Sequence, residues 1–521
     1  MLAIAAAAPL LAQQTQLGSE VAIPRHLKDD EEFTRSIPEL LSYGKKLFDA
    51  NWTEQDGGGR PFTKGNGLPL TDPTQPLRGS RAFNRISGPD ANSCTGCHNA
   101  PYGISGGGGD IVANVFVLAQ RFDFASFDSH DEYPTRGTAA ESSGPATLQD
   151  IGDSRATTGL FGAGYIEMLA RQMTAELQTI RGTIHHGETK DLVAKGIHFG
   201  KLTLTSAGLW DISKVEGLTR LSLLTTGTND PPSLVIRPWH QAGNVVSLRE
   251  FSNNAFNQHH GMQSTERFGV DTDPDGDGVK NELTRADITA VSLYQAAIQV
   301  PGRVIPNDPT IEAAVLNGEK NFEKIGCAVC HVPSLPLEKS GWTYTEPNPY
   351  NPPGNLRAGY TKTVSMDLTS PLLPQPRLAT LPGVDVIQVP LFSDLKVHDI
   401  CEPGDSEPLD MNQPVWSPKF KLGNRRFLTK RLWGAANEPP YFHHGMYTTM
   451  RQATLAHAGE ALAARTAFQG LAKYDQDSVI EFLKTLQVLP PGTTSLVVDE
   501  NFRPKMWPPQ SAPKKSLSAA R

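Results

Sequence analysis

The chain lacks a membrane span: after the first dozen residues no segment approaches the roughly 18 to 20 uninterrupted apolar residues that cross a bilayer. It also lacks an excess of positive charge. Its 48 Lys and Arg stand against 55 Asp and Glu, a net charge of −7, and no basic block interrupts the mixture. That removes the electrostatic basis for binding nucleic acid. Cysteine is scarce, five in 521 residues, and so small an odd number argues against a disulfide framework. Nothing in the composition points to collagen, coiled coil or wholesale disorder. Gly and Pro are plentiful instead, 47 and 41, which implies long loops around the cores of two or three domains.

Four of the five cysteines fall into two copies of one pattern, Cys94-Thr95-Gly96-Cys97-His98 and Cys327-Ala328-Val329-Cys330-His331. C-x-x-C-H is the attachment signature of c-type haem. Two thiols must reach two vinyl groups of one porphyrin, and the adjacent His must swing under the iron as its ligand. A redox C-x-x-C or a zinc knuckle would not call for His directly after the second Cys in both copies. Two covalently bound c-type haems are expected, with Cys401 left over as a buried thiol. Because haem is joined to this motif outside the bacterial cytoplasm, the expected location is the periplasm. Met1 to Ala12 reads as the apolar end of a signal peptide without its positively charged start.

Each motif follows a short helix signal, Gly44-Lys45-Lys46-Leu47-Phe48 and Gly318-Glu319-Lys320-Asn321-Phe322. Between the motifs, Thr174 to Arg181 reads as a short helix. Alternating runs at Lys201 to Thr205 and Ser233 to Arg237 read as strands. Thr284 to Gln299 reads as a helix opened by a capping box. Val479, Phe482, Leu483 and Leu486 mark one face of a last helix. The expected fold is mainly α: a signal-peptide remnant over 1–19, a first cytochrome c-like haem domain over 20–198, and a β-rich insertion over 199–304. A second haem domain over 305–490 and a tail over 491–521 complete it.

Pro439-Pro440-Tyr441-Phe442-His443-His444-Gly445, with His457 fourteen residues beyond His443, resembles a segment of the bacterial di-haem cytochrome c peroxidases. His in place of their usual Met at 457 resembles the di-haem oxidoreductase (putative peroxidase) branch. Val389 to Leu395, Phe427 to Gly434 and Gly159 to Glu167 agree with it, and the likeness runs over roughly Pro38 to Leu489. The resemblance implies that His331 and His457 hold a six-coordinate second haem for electron transfer, with His443 in the wall between the haems. It makes His98 the ligand of a first haem that reduces peroxide, with Glu167 as general acid/base. The family's Phe-Trp-Asp-Gly is Leu160-Phe161-Gly162-Ala163 here, so Trp433 is the candidate inter-haem Trp. The sixth ligand of the first haem stays open among His130, Met168, His259, His260 and Met262. A small electron-donor protein of cytochrome c or cupredoxin type and hydrogen peroxide are the implied partners. The alternatives are a pure electron-transfer cytochrome and a di-haem oxidase or oxygenase acting on an organic or protein substrate.

Asp271, Asp273 and Asp275, Gly276 and Glu282 match positions 1, 3, 5, 6 and 12 of an EF-hand loop, with Asp277 between them. Hard carboxylate oxygens in this spacing suit Ca²⁺, so a structural calcium loop is expected near the domain junction.

Overall fold

The computed structural model describes residues 17–59, 91–109, 111–114, 153–225, 230–274, 276–404 and 424–509. Met1 to Ala12, His130 and Asp275 lie outside the described residues. Helix α1 (Ile37–Asp49) begins at a capping box in which Ser36 and Glu39 satisfy each other's backbone amides, and it buries Leu40, Gly44, Leu47 and Phe48. The Thr174 signal belongs to a longer helix, α2 (Ala163–Gly182), which is buried over most of its length. Helix α3 (Leu248–Ala255) runs into a π-helical turn at Phe256–His260. Helix α4 (Arg285–Ala297) starts with the expected Thr284 and Asp287 capping box and is buried on all sides. Helix α5 (Pro309–Lys324) is capped by Asp308. Helices α6 (Met450–Ala456), α7 (Leu462–Gln469) and α8 (Lys473–Thr485) close the chain.

The expectation of a mainly α fold is wrong. Among the described residues helix accounts for 34% and strand for 15%, and the strands form six separate sheets of two or three strands. The physical reason is that short runs rich in Val, Ile, Leu and Thr lie between the helices, as in Val386–Val389 and Ile197–Leu204, and pair wherever two of them meet. The antiparallel sheet of Glu188–Ala194, Ile197–Leu204 and Trp210–Asp211 contains the predicted strand at Lys201. Ser233 to Arg237 forms no strand, and Leu234 there has a φ of 55°.

The two helix signals become two copies of one packing unit. Helix α1 packs on α4, and α5 packs on α8. Each crossing is made at a glycine: a Cβ at Gly44 would run into the Ala290 carbonyl, and one at Gly318 into the Ser478 carbonyl. Four residues after each glycine a phenylalanine reaches the histidine of the following C-x-x-C-H motif. Phe48 lies 5.6 Å from His98 and Phe322 lies 6.3 Å from His331, with ring planes inclined by 50° in both. Helix α4, which the sequence assigns to the insertion, is therefore the partner that closes the first unit. Gly44→Val and Gly318→Val should each cost about 1–3 kcal/mol through overpacking, read as lowered thermal midpoints. An unchanged midpoint in either would show that the helices can separate at no cost.

Candidate functional site

Both C-x-x-C-H motifs form a 3-10 turn, Cys94–Gly96 and Cys327–Val329, and in both the histidine amide bonds back to the first cysteine's carbonyl at 3.0 Å. The turn is what brings two sulfurs and an imidazole to one side. None of the five cysteines is in a disulfide.

Around the second motif lies a cavity of 420 Å³ lined by Cys327, Cys330, His331, Phe442, His443 and His457, among others. That is the size range of small-molecule sites, about 300–1,000 Å³. His331 points Nδ1 at the Phe392 carbonyl at 3.2 Å, and His457 points Nδ1 at the Ala453 carbonyl at 2.8 Å. A carbonyl only accepts, so Nδ1 carries the proton in each ring and Nε2 keeps its lone pair for a metal. Burial pushes His331 down to about 4, helped by His457, and lowers His457 as well. The ring centres stand 6.3 Å apart. Metal–imidazole bonds of about 2 Å, plus roughly 1 Å from nitrogen to ring centre on each side, would place two opposed ligands roughly 6 Å apart. Packed rings also reach such distances. The Nδ1 tethers and the two cysteines in the same cavity favour the ligand arrangement. His443 stacks on Phe427 with ring centres 3.6 Å apart.

At the first motif His98 is buried and points Nδ1 at the Gly107 carbonyl, 2.9 Å away, so Nε2 again keeps its lone pair. Burial, with His259 and Arg431 adding to it, pushes His98 down to about 4. His260 on the π-helical turn places Nε2 3.6 Å from Cys94 Sγ and Nδ1 2.9 Å from the Ala91 carbonyl. It faces the attachment thiol. Met168 is buried in α2, and Met262 is fully buried in the main core.

Backbone hydrogen bonds join the two sites. Gly109 N donates to the Thr157 carbonyl at 3.2 Å, and Ala156 N donates to the His443 carbonyl at 2.9 Å. Trp433 is buried against Gly162, at the start of α2.

Glu167 is fully buried and tied into a charged network. Its carboxylate accepts from Arg171 Nη2 at 2.6 Å, Leu248 N at 2.8 Å, Asn348 Nδ2 at 2.8 Å and Tyr344 Oη at 3.4 Å. The Tyr344 hydroxyl has a single proton and lies nearer Glu346, at 3.1 Å, so three donors are held by Glu167 alone, and together these contacts anchor α2 to α3 and to the strand Thr343–Glu346. Such a carboxylate holds segments together.

In the acidic loop, Asp273 accepts from the amides of Gly276, Asp277 and Gly278 at 2.8–3.1 Å. Asp271 accepts from Asn281 at 2.8 Å, and Asp277 accepts from the Val279 amide at 2.8 Å. Glu282 instead turns one oxygen to the Gln263 amide at 2.5 Å. The turn is thus centred on Asp273 rather than Asp271.

One cluster had no signal in the sequence. Cys330, Asp394 and His398 bring ligand-type atoms within 4.8 Å of one another. His398 Nε2 lies 2.9 Å from Asp394, and its Nδ1 lies 2.7 Å from Glu460. A metal here would compete with haem for Cys330, whose sulfur a thioether bond consumes. Burial disfavours a charged His398, but hydrogen bonds to Asp394 and Cys330 outweigh it and push the pKa up to about 11. The Cys330 part falls away once that sulfur is a thioether.

No family model and no curated protein matches the chain. A solved structure of hydrazine synthase from Kuenenia stuttgartiensis, pressurised with xenon, is similar over 61% of this chain and 87% of that chain. Identity is 16% and the TM-score 0.25, a level that does not establish a shared fold. Among the described residues no helix is long and apolar enough to cross a membrane.

Proposed function

We propose that the chain is a periplasmic di-haem c-type oxidoreductase of peroxidase type, with one covalent haem at Cys94, Cys97 and His98 and another at Cys327, Cys330 and His331. The observation that carries the reading is the repeated unit. Twice, a glycine-crossed helix pair sets a phenylalanine against the histidine of C-x-x-C-H, and twice that histidine gives its Nδ1 proton to a carbonyl. The donor set fits haem. The two bound groups would supply one electron each, so that hydrogen peroxide takes up two electrons and two protons and leaves as two waters.

The residues have separate tasks in this reading. His331 and His457 hold the second haem from both faces, which suits electron uptake from a small donor protein of cytochrome c or cupredoxin type. His98 holds the first, its basicity raised by the Gly107 carbonyl. The backbone bridge from Gly109 to His443 gives a short covalent and hydrogen-bonded route between the sites. Glu167 is assigned to anchoring the fold. Calcium at the acidic loop belongs to the proposal on the strength of its carboxylate spacing.

A specific observation favours one competitor. Glu167, which the resemblance assigns as general acid/base, is engaged by Arg171, the Leu248 amide and Asn348, and a pure electron-transfer cytochrome needs no such group. Optical and EPR spectra of the full-length holoprotein separate the two. Peroxidase function requires a high-spin population at one haem after partial reduction, and turnover of peroxide with a reduced donor. Two low-spin haems that ignore peroxide would leave electron transfer alone.

A further inference from the structure

We propose that His398 is a positioning residue for the second haem: bonded to Asp394 on one side and Glu460 on the other, it holds the segment bearing His457 at a set distance from the segment bearing His331. The inference rests on the reading of His331 and His457 as opposed ligands.

The two ends of the clip are tied to the two ligands. On the attachment side, Asp394 N donates to the Cys330 carbonyl at 2.9 Å, and Phe392, two residues earlier, accepts from His331. On the far side, Glu460 lies three residues beyond His457, and its second oxygen accepts from Asp399 N at 3.0 Å. Ala458 N donates to the Ile400 carbonyl at 3.1 Å. His398 sits in the strand Val397–Asp399 between these ends and is buried. Carboxylates accept and do not donate, so meeting both Asp394 and Glu460 requires both ring nitrogens to carry protons. The clip is a charged one, and both of its bonds are charge-assisted.

The far side is packed more lightly than the attachment side, and the clip adds to its ties. Helix α6, which ends at His457, buries none of its residues, and α7 buries only Phe468. Apolar packing on this side comes from Phe468, from Met450 against the same cluster, and from Phe442, whose ring lies 5.3 Å from that of His457. The Arg465 to Glu402 ion pair and the close approach of Gly459 to Asp399 lead to the same stretch of chain, while Arg451 ties α6 to α8 through Gln476 and Asp477. Cutting the clip should let His457 leave the iron more often. A competing ligand then binds more tightly, in proportion to the open fraction.

The test uses cyanide as the probe on the full-length holoprotein, with each haem followed by its own EPR signal. His398→Ala and Glu460→Gln should each raise cyanide affinity at the second haem by about tenfold or more, with affinity at the first haem unchanged. Glu460 is half exposed, so its variant tests the clip even if His398→Ala fails to mature. His457→Ala is the control. If it turns the second haem high-spin while the two clip variants bind cyanide like the parent, His398 does not position His457 and the proposal falls alone. If His457→Ala leaves the second haem low-spin, the ligand reading falls and the clip with it.

Discussion

If the chain carries the two haems proposed, replacing His457 by alanine is expected to turn the second from low-spin to high-spin, the largest spectroscopic change any single substitution in this chain should cause. The reason is local. His457 is the residue whose ring faces His331 at 6.3 Å across the cavity, with its Nδ1 held by Ala453 and its Nε2 left for the metal. His443 and His444 also border this region, but His443 is stacked on Phe427 and His444 Nδ1 accepts from the Met446 amide at 3.0 Å. The measurement is the EPR and near-infrared spectrum of the oxidised holoprotein, and haem content should stay at two because both attachment motifs are intact. A low-spin second haem in the variant would pass the ligand role to another side chain.

Arg249→Ala should cost about 3–5 kcal/mol of stability, the usual consequence of removing one partner from a buried ion pair. Arg249 is completely buried. It reaches Glu266 at 2.5 Å, Glu346 at 3.0 Å and Thr289 at 2.9 Å, so it ties α3 to α4 and to the strand Thr343–Glu346. Without it Glu266 and Glu346 lose the guanidinium they share in a fully buried site, and Arg267 and Arg171 are left as their remaining positive neighbours. The loss should depend on pH in a stated direction. Burial raises Glu346 from 4.5 to about 7 although Arg249 pulls the other way. A carboxyl raised in the folded state contributes stability below its unfolded pKa and loses that contribution as pH rises through the folded one. The variant should therefore be penalised more at pH 8 than at pH 5, where Glu346 takes up a proton. Thermal melts at the two pH values check it; an equal penalty at both would mean that Glu346 stays ionised throughout.

The two outcomes bear on how much could be read from residues alone. The two C-x-x-C-H segments as local units, the capping box at Thr284 and the helices carrying Gly44 and Gly318 were legible, because each rests on near neighbours in the chain. The surroundings of Glu167 were not legible, for the opposite reason. Sequence shows that a carboxylate is present near the start of a helix, but not that Arg171, Leu248, Asn348 and Tyr344 converge on it. The mainly α expectation failed on the same ground: runs of three or four extended residues become short sheets only where the fold brings two of them side by side.

By itself the sequence determined the chemistry available: two C-x-x-C-H turns, a spare cysteine, an acidic loop, and charge too balanced to attract nucleic acid. Tertiary structure decided which groups meet. It set His457 opposite His331, closed the first helix pair with α4 instead of a nearer segment, and gathered Asp394, His398 and Glu460 from distant positions. Burial and long-range hydrogen bonding act between residues far apart in the chain, and local pattern carries no record of them.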